Sequence, residues 1–126
     1  MMMQGMWFNL HVANLDKSEA FYRTLGFEIK KNPEMLDKML GIAVGDTTVI
    51  LIENNHFENV SQQSVDTMPN EMMISLGVKT NEEVDQLVAK VKQAGVIVVQ
   101  EPTVSQGYYG AMFKDLDGHY FNFLVC

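Results

Sequence analysis

The run Phe8-Asn9-Leu10-His11-Val12, followed by Asn14-Leu15-Asp16-Lys17-Ser18 and then Phe21-Tyr22-Arg23-Thr24-Leu25-Gly26-Phe27, decides the fold. Residues 8–12 alternate apolar and polar side chains, as a half-buried strand does. Asn14 is a helix-capping residue type, because its short side-chain oxygen can accept a hydrogen bond from a backbone N–H of the first turn. Ala20, Phe21 and Leu25, with Tyr22 nearby, make an apolar stripe at helical spacing. Gly26 then stands where a helix commonly ends in a left-handed residue. Phe27-Glu28-Ile29 resumes a strand. Beyond Pro33, the pattern over Met39 to Val44, the turn Gly45-Asp46 and Thr47 to Ile52 reads as a hairpin.

The same grammar returns in the second half. Met72 to Val78 is an apolar strand, and Thr80-Asn81-Glu82-Glu83 is a capping box in which Thr80 and Glu83 satisfy each other's backbone donors. Val84, Leu87, Val88 and Val91 form the stripe of a second helix, which Gly95 terminates. Val96 to Val99 is a β-branched run of the kind found in buried strands. Tyr108 to Lys114 and Tyr120 to Val125 pair through a turn at Asp117-Gly118. Setting Leu10-His11-Val12 against Leu76-Gly77-Val78 brings both helices and both terminating glycines into register, so the chain is an internal duplication of about 55 to 60 residues. The expected boundaries are about 4–54 for module one, 55–70 for a linker and 71–126 for module two, within one domain over 1–126. The linker is polar and aperiodic, with a short helical turn around Phe57 at most.

The 126 residues carry 9 basic and 16 acidic side chains, a net charge of −7. A field of that sign repels phosphate backbones and anionic lipid surfaces, and Lys30-Lys31 is the single adjacent basic pair, so neither nucleic acid nor membrane is an expected partner. A lone cysteine, Cys126, allows no intrachain disulfide and fits a reducing compartment, which points to the cytoplasm. No apolar run approaches the ~20 residues of a membrane span, and Met1 to Gly5 lacks the pattern of a signal peptide. No Walker loop, serine elbow, C-x-x-C pair or dinucleotide fingerprint occurs.

The helix signature Asn14-Leu15-Asp16-Lys17-Ser18, Phe21-Tyr22 and Leu25-Gly26-Phe27, together with Tyr109-Gly110 and the turn Asp115-Leu116-Asp117-Gly118-His119, resembles the glyoxalase/bleomycin resistance protein/dioxygenase family, the vicinal oxygen chelate superfamily. The resemblance covers nearly the whole chain. It implies an α+β fold of two βαβββ modules forming a U-shaped, partly open eight-stranded barrel, commonly in a homodimer. It also implies a divalent metal held by His or Glu at one position on the first and last strand of each module, acting as a Lewis acid on adjacent substrate oxygens.

Carried over position by position, those ligands fall at Trp7, at or beside Leu51, at Met73 and at Asn122. None of these four makes a site for a hard or borderline divalent ion, and one neutral amide cannot hold a catalytic metal. The resemblance therefore implies a metal-free pocket lined by Trp7, His11, Leu51, Met73, Tyr109 and Asn122, with no cofactor, no assigned catalytic residue and a small organic molecule as partner. Trp7 can stack on a planar or cationic ligand, or simply fill the core. His11, four residues on, shares its face by strand parity and reads as a hydrogen-bonded pocket or core residue. Tyr108 and Tyr109 sit where binding members of the family carry a covering aromatic. Asp115 and Asp117 read as turn residues that cap backbone donors. His119 points away from the face of Tyr120 and Asn122. The alternative is a metal-dependent lactoylglutathione-lyase-like or extradiol-dioxygenase-like enzyme whose ligands have moved to His11, Glu53, His56 or Asn122. A third possibility is an interaction module on the same fold.

Overall fold

The computed structural model describes every residue except 1, 3, 5 and 68–71. The expected end of the linker at 70 and start of module two at 71 lie outside the described residues, as does part of the Met1 to Gly5 opening. The chain divides into two compact units, Met1–Met68 and Pro69–Cys126.

In the first unit, β1 (Phe8–Val12), α1 (Leu15–Leu25), β2 (Glu28–Lys30), β3 (Met39–Val44) and β4 (Thr47–Glu53) follow one another. The strand order is β1-β4-β3-β2, with β1 parallel to β4 and the other pairs antiparallel. Asn14 caps α1 by accepting the Lys17 N–H on its Oδ1 at 2.9 Å. Gly26 closes the helix in the left-handed region at φ 99°. The stripe of α1 buries Phe21, Tyr22 and Leu25, and the sheet buries Leu10, Val12, Leu40, Ile42 and Leu51. Tyr22 meets Phe21 and Phe27 edge to face, with 5.1 Å between centroids in each pair. On the outer side of α1, Glu19 is bound by both Lys31 and Arg23. The Lys31 hydrogen bond, and then that of Arg23, hold its carboxyl below the usual carboxylate value.

The second unit repeats this plan with β5 (Met73–Val78), α3 (Asn81–Gln93), β6 (Val98–Ser105), β7 (Tyr108–Lys114) and β8 (Tyr120–Val125). Its order, β5-β8-β7-β6 with β5 parallel to β8, is that of the first sheet strand for strand. Thr80 and Glu83 form the capping box, each side chain accepting the other's backbone N–H. The stripe of α3 buries Val84, Val88 and Val91, and the sheet buries Ala111, Phe113, Phe121 and Phe123. The three phenylalanines stack, Phe113 lying 5.3 Å from Phe121 and 5.1 Å from Phe123. Among the described residues the architecture is α+β, eight strands in two unclosed four-stranded sheets.

Two elements depart from the sequence expectation. Asn54–Ser61 is a full helix, α2, followed by a 3-10 turn over Val65–Thr67, where the sequence predicts only a turn around Phe57. Its start is capped by the Glu53 carboxylate, which accepts the Asn55 and His56 N–H groups. It buries no residue fully and carries only two apolar side chains, Phe57 and Val60, a stripe too short to mark a full helix in the sequence. The second departure is β6, which runs over Val98–Ser105 rather than Val96 to Val99. Ile97 is 62% and Val99 45% exposed, so the β-branched run is not a buried strand. Because β6 is the edge of its sheet, it accommodates Pro102 at a break in its register with β7.

Candidate functional site

Strand register sorts the expected site residues onto faces. In the first sheet, Leu10 pairs with Leu51 and Leu51 with Leu40, and all three are buried on the α1 side. His11 pairs with Ile52 and Ile52 with Met39, so these lie on the opposite face, together with Asn9, Ile50 and Gly41. Leu51 therefore does not share a face with His11. On that face its places are taken by its two strand neighbours, Ile50 and Ile52. A shift of one residue exchanges faces, and the expected position, at or beside Leu51, spans that one residue. Trp7 precedes β1 and is 71% exposed, so it does not fill a core in this unit. His11 meets Phe57 of α2 edge to face at 5.6 Å, which brings the linker helix onto the face opposite α1. No sequence signal marks this contact, since one aromatic in a polar segment carries no periodicity.

In the second sheet, Met73 pairs with Tyr120, Ser75 with Asn122, and Asn122 with Met112. Met73, Ser75, Tyr120, Asn122, Met112 and Lys114 therefore share the face opposite the buried phenylalanines. Met73 is 47% exposed. The Lys114 Nζ lies 5.0 Å from the centroid of the Tyr120 ring. The Asn122 Oδ1 is fully buried and has no hydrogen-bond partner among the described residues. Asn122 and Met73, expected together, are thus on one face, with Ser75 between them. Tyr109 is not with them. By parity it belongs to the Ala111 and Phe113 side, and its hydroxyl donates to the Asp85 carboxylate of α3 at 2.6 Å.

That bond raises the Tyr109 pKa above the ordinary tyrosine value, because ionising the phenol would lose the bond and place a second negative charge at Asp85. A raised folded-state value means the stabilisation is fully present below the unfolded pKa of about 10 and is lost as the pH rises through the folded one. In an ultraviolet phenolate titration Tyr109 should ionise late, and Tyr109→Phe should remove that late step. Identical late steps in the two proteins would rule the assignment out.

The turn after β7 is structural, as its composition suggests. Asp115 is 5% exposed, and its Oδ1 accepts both the Asp117 and His119 N–H groups at 2.9 Å. His119 is itself buried. Among the described residues, no three His, Cys, Asp or Glu side chains converge where an ion could be held. The donor set at the four positions implied by the family resemblance is an exposed indole, an aliphatic side chain, a thioether and one amide, which does not fit a catalytic divalent metal. Glu53 is engaged in capping α2. No described helix is long and apolar enough to cross a membrane.

Residues 4–45 match the family model described as bleomycin resistance protein-like N-terminal. A hypothetical protein from S. aureus is 75% identical over 100% of this chain and 96% of its own, with a TM-score of 0.94. A glyoxalase/bleomycin resistance protein/dioxygenase family enzyme from Burkholderia phytofirmans has a TM-score of 0.80 at 21% identity, over 94% of each chain. A mutant of the fosfomycin resistance protein FosX from Listeria monocytogenes, complexed with Mn(II) and 1S,2S-dihydroxypropylphosphonic acid, has a TM-score of 0.72 at 22% identity. That match covers 98% of this chain and 91% of the other. No curated protein matches the sequence.

Proposed function

We propose, from the premise that the chain belongs to the glyoxalase/bleomycin resistance protein/dioxygenase superfamily, that it binds a small organic molecule without a metal and works by sequestering it. The observation that carries this is the buried, unpartnered Oδ1 of Asn122, at the last-strand position where the family resemblance implies a metal ligand. A buried acceptor without a donor costs about 1–3 kcal/mol. A bound molecule with an N–H or O–H group removes that cost, so the ligand class is a hydrogen-bond donor. Met73, Met112 and Tyr120 supply apolar and aromatic surface on the same face, and the acidic charge of the chain favours neutral or cationic molecules. In this reading the whole chain acts as one glyoxalase-like domain, in the cytoplasm, as a homodimer. Met6, Trp7 and Phe8, exposed at the start of β1, are apolar surface for a second copy to cover.

The test joins stability to binding. Asn122→Leu should leave the ligand-free protein as stable as the parent or about 1 kcal/mol more so, because it removes an unpaired buried acceptor. The same change should abolish the thermal shift given by a panel of neutral and cationic aromatics carrying N–H or O–H donors. A purely structural Asn122 would instead give a destabilised variant with an unchanged response to the panel. The metal-dependent alternative is separated by incubation with nickel, zinc, manganese and ferrous ions followed by exhaustive desalting. Well under one ion per subunit should remain, and close to one would overturn the proposal.

A further inference from the structure

We infer that a cavity on the first sheet, about 280 Å3 in volume, is a binding site for a small apolar carboxylate. It stands independently of the Asn122 reading, since every residue that lines it belongs to the first unit. Lys30 pairs with Gly41 and Gly41 with Ile50, so the three lie side by side on the face opposite α1. Met39 and Thr48 flank them on the same face and also line the cavity.

Glycine in the middle of a strand weakens the strand and marks a place where something approaches the backbone closely. A Cβ on Gly41 would stand 3.0 Å from the Thr48 Cγ2 and 3.4 Å from the Lys30 Cβ. The neighbours thus close in at the backbone, and the hollow above is the space a longer side chain at position 41 would occupy. Its walls are the Met39 and Ile50 side chains and the Thr48 methyl, an apolar seat. Its rim is cationic and donor-rich. Lys31 is committed to Glu19, whereas Lys30 has no acidic partner among the described residues. Asn32 uses its Oδ1 to accept the Glu34 N–H at 3.0 Å, which leaves its NH2 group as a donor.

Among the described residues no acidic side chain lines this cavity, although the chain as a whole carries −7. The local charge therefore selects the opposite sign of ligand from the one the net charge suggests. The complement is an apolar body with one anionic head that accepts from Lys30 and Asn32. The volume lies just below the ~300–1,000 Å3 of ligand pockets, which limits the body to a single ring or a short acyl chain.

Phenylacetate, phenylacetamide and benzylamine are the probes, titrated at low ionic strength into the isotope-labelled full chain and followed by backbone amide shifts. Phenylacetate should move the Gly41, Thr48 and Ile50 amides, and phenylacetamide should bind about tenfold more weakly. Benzylamine should leave these amides in place. Lys30→Met keeps the apolar stem and removes the charge at an exposed position, so it should fold normally and lose the preference for phenylacetate over phenylacetamide. Lys30→Gln serves as the second variant and should behave likewise. Equal binding of acid and amide, an unchanged preference in both variants, or no movement at Gly41, Thr48 and Ile50 would each overturn the inference. Shifts at Ser75 and Asn122 report the other site, so failure of one reading is distinguishable from failure of the other.

Discussion

Gly110→Ala is expected to destabilise the protein by about 3 kcal/mol or more in urea unfolding, the largest effect of any single-methyl addition in the second sheet. Gly110 pairs with Leu124 across β7 and β8, and a Cβ built on it would fall well inside contact distance of the Phe123 carbonyl oxygen. That oxygen belongs to the backbone of the neighbouring strand. It cannot rotate away as a side chain can, so relief requires the two strands to separate and the ladder hydrogen bonds beside Gly110 to stretch. Gly77→Ala is the control. The atom it would meet is the Cys126 Sγ, the far end of an exposed terminal side chain that turns aside at little cost. A loss for Gly110→Ala no greater than for Gly77→Ala would show that close strand approach is not what position 110 requires.

Phe113→Ala should cost about 3–5 kcal/mol, a large part of the roughly 5–15 kcal/mol that holds a typical domain together. Phe113 is 1% exposed and is the ring common to both stacked pairs, so its removal strips contacts from Phe121 and Phe123 together and opens a cavity under α3. Phe113→Leu keeps most of the volume and should lose roughly 1–2 kcal/mol, which separates packing from backbone effects. Urea midpoints at constant slope are the measurement. If Phe113→Ala and Phe113→Leu lost the same amount, cavity formation would not be the cause.

Elements whose signal is local and repeated are legible in the sequence. Asn14 with Gly26 brackets the first long helix, Thr80 with Glu83 caps the start of the second, and the structure has these caps in place. The turns Gly45-Asp46 and Asp117-Gly118 separate the strand pairs as expected. The duplication read from aligned glycines and strands is matched by two sheets of the same strand order. What escapes such a reading is an element held by tertiary contacts or placed at an edge. The helix α2 rests on a carboxylate cap and on Phe57 against His11, and β6 tolerates exposure because it has a neighbour on one side only.

The candidate sites divide in the same way. The order of residues alone carries the family resemblance, the α+β duplication, the acidic charge, and the placing of Trp7, Met73 and Asn122 at positions where that resemblance implies metal ligands. Which side chains share a face is settled by strand pairing, because a strand has a side-chain period of two and a single residue of register moves a side chain across the sheet. That pairing separates Leu51 from His11 and sets Tyr109 against Asp85 of α3. It leaves the Asn122 Oδ1 buried without a donor among the described residues, and it makes a hollow at Gly41 by setting Lys30 of β2 against the β3–β4 hairpin.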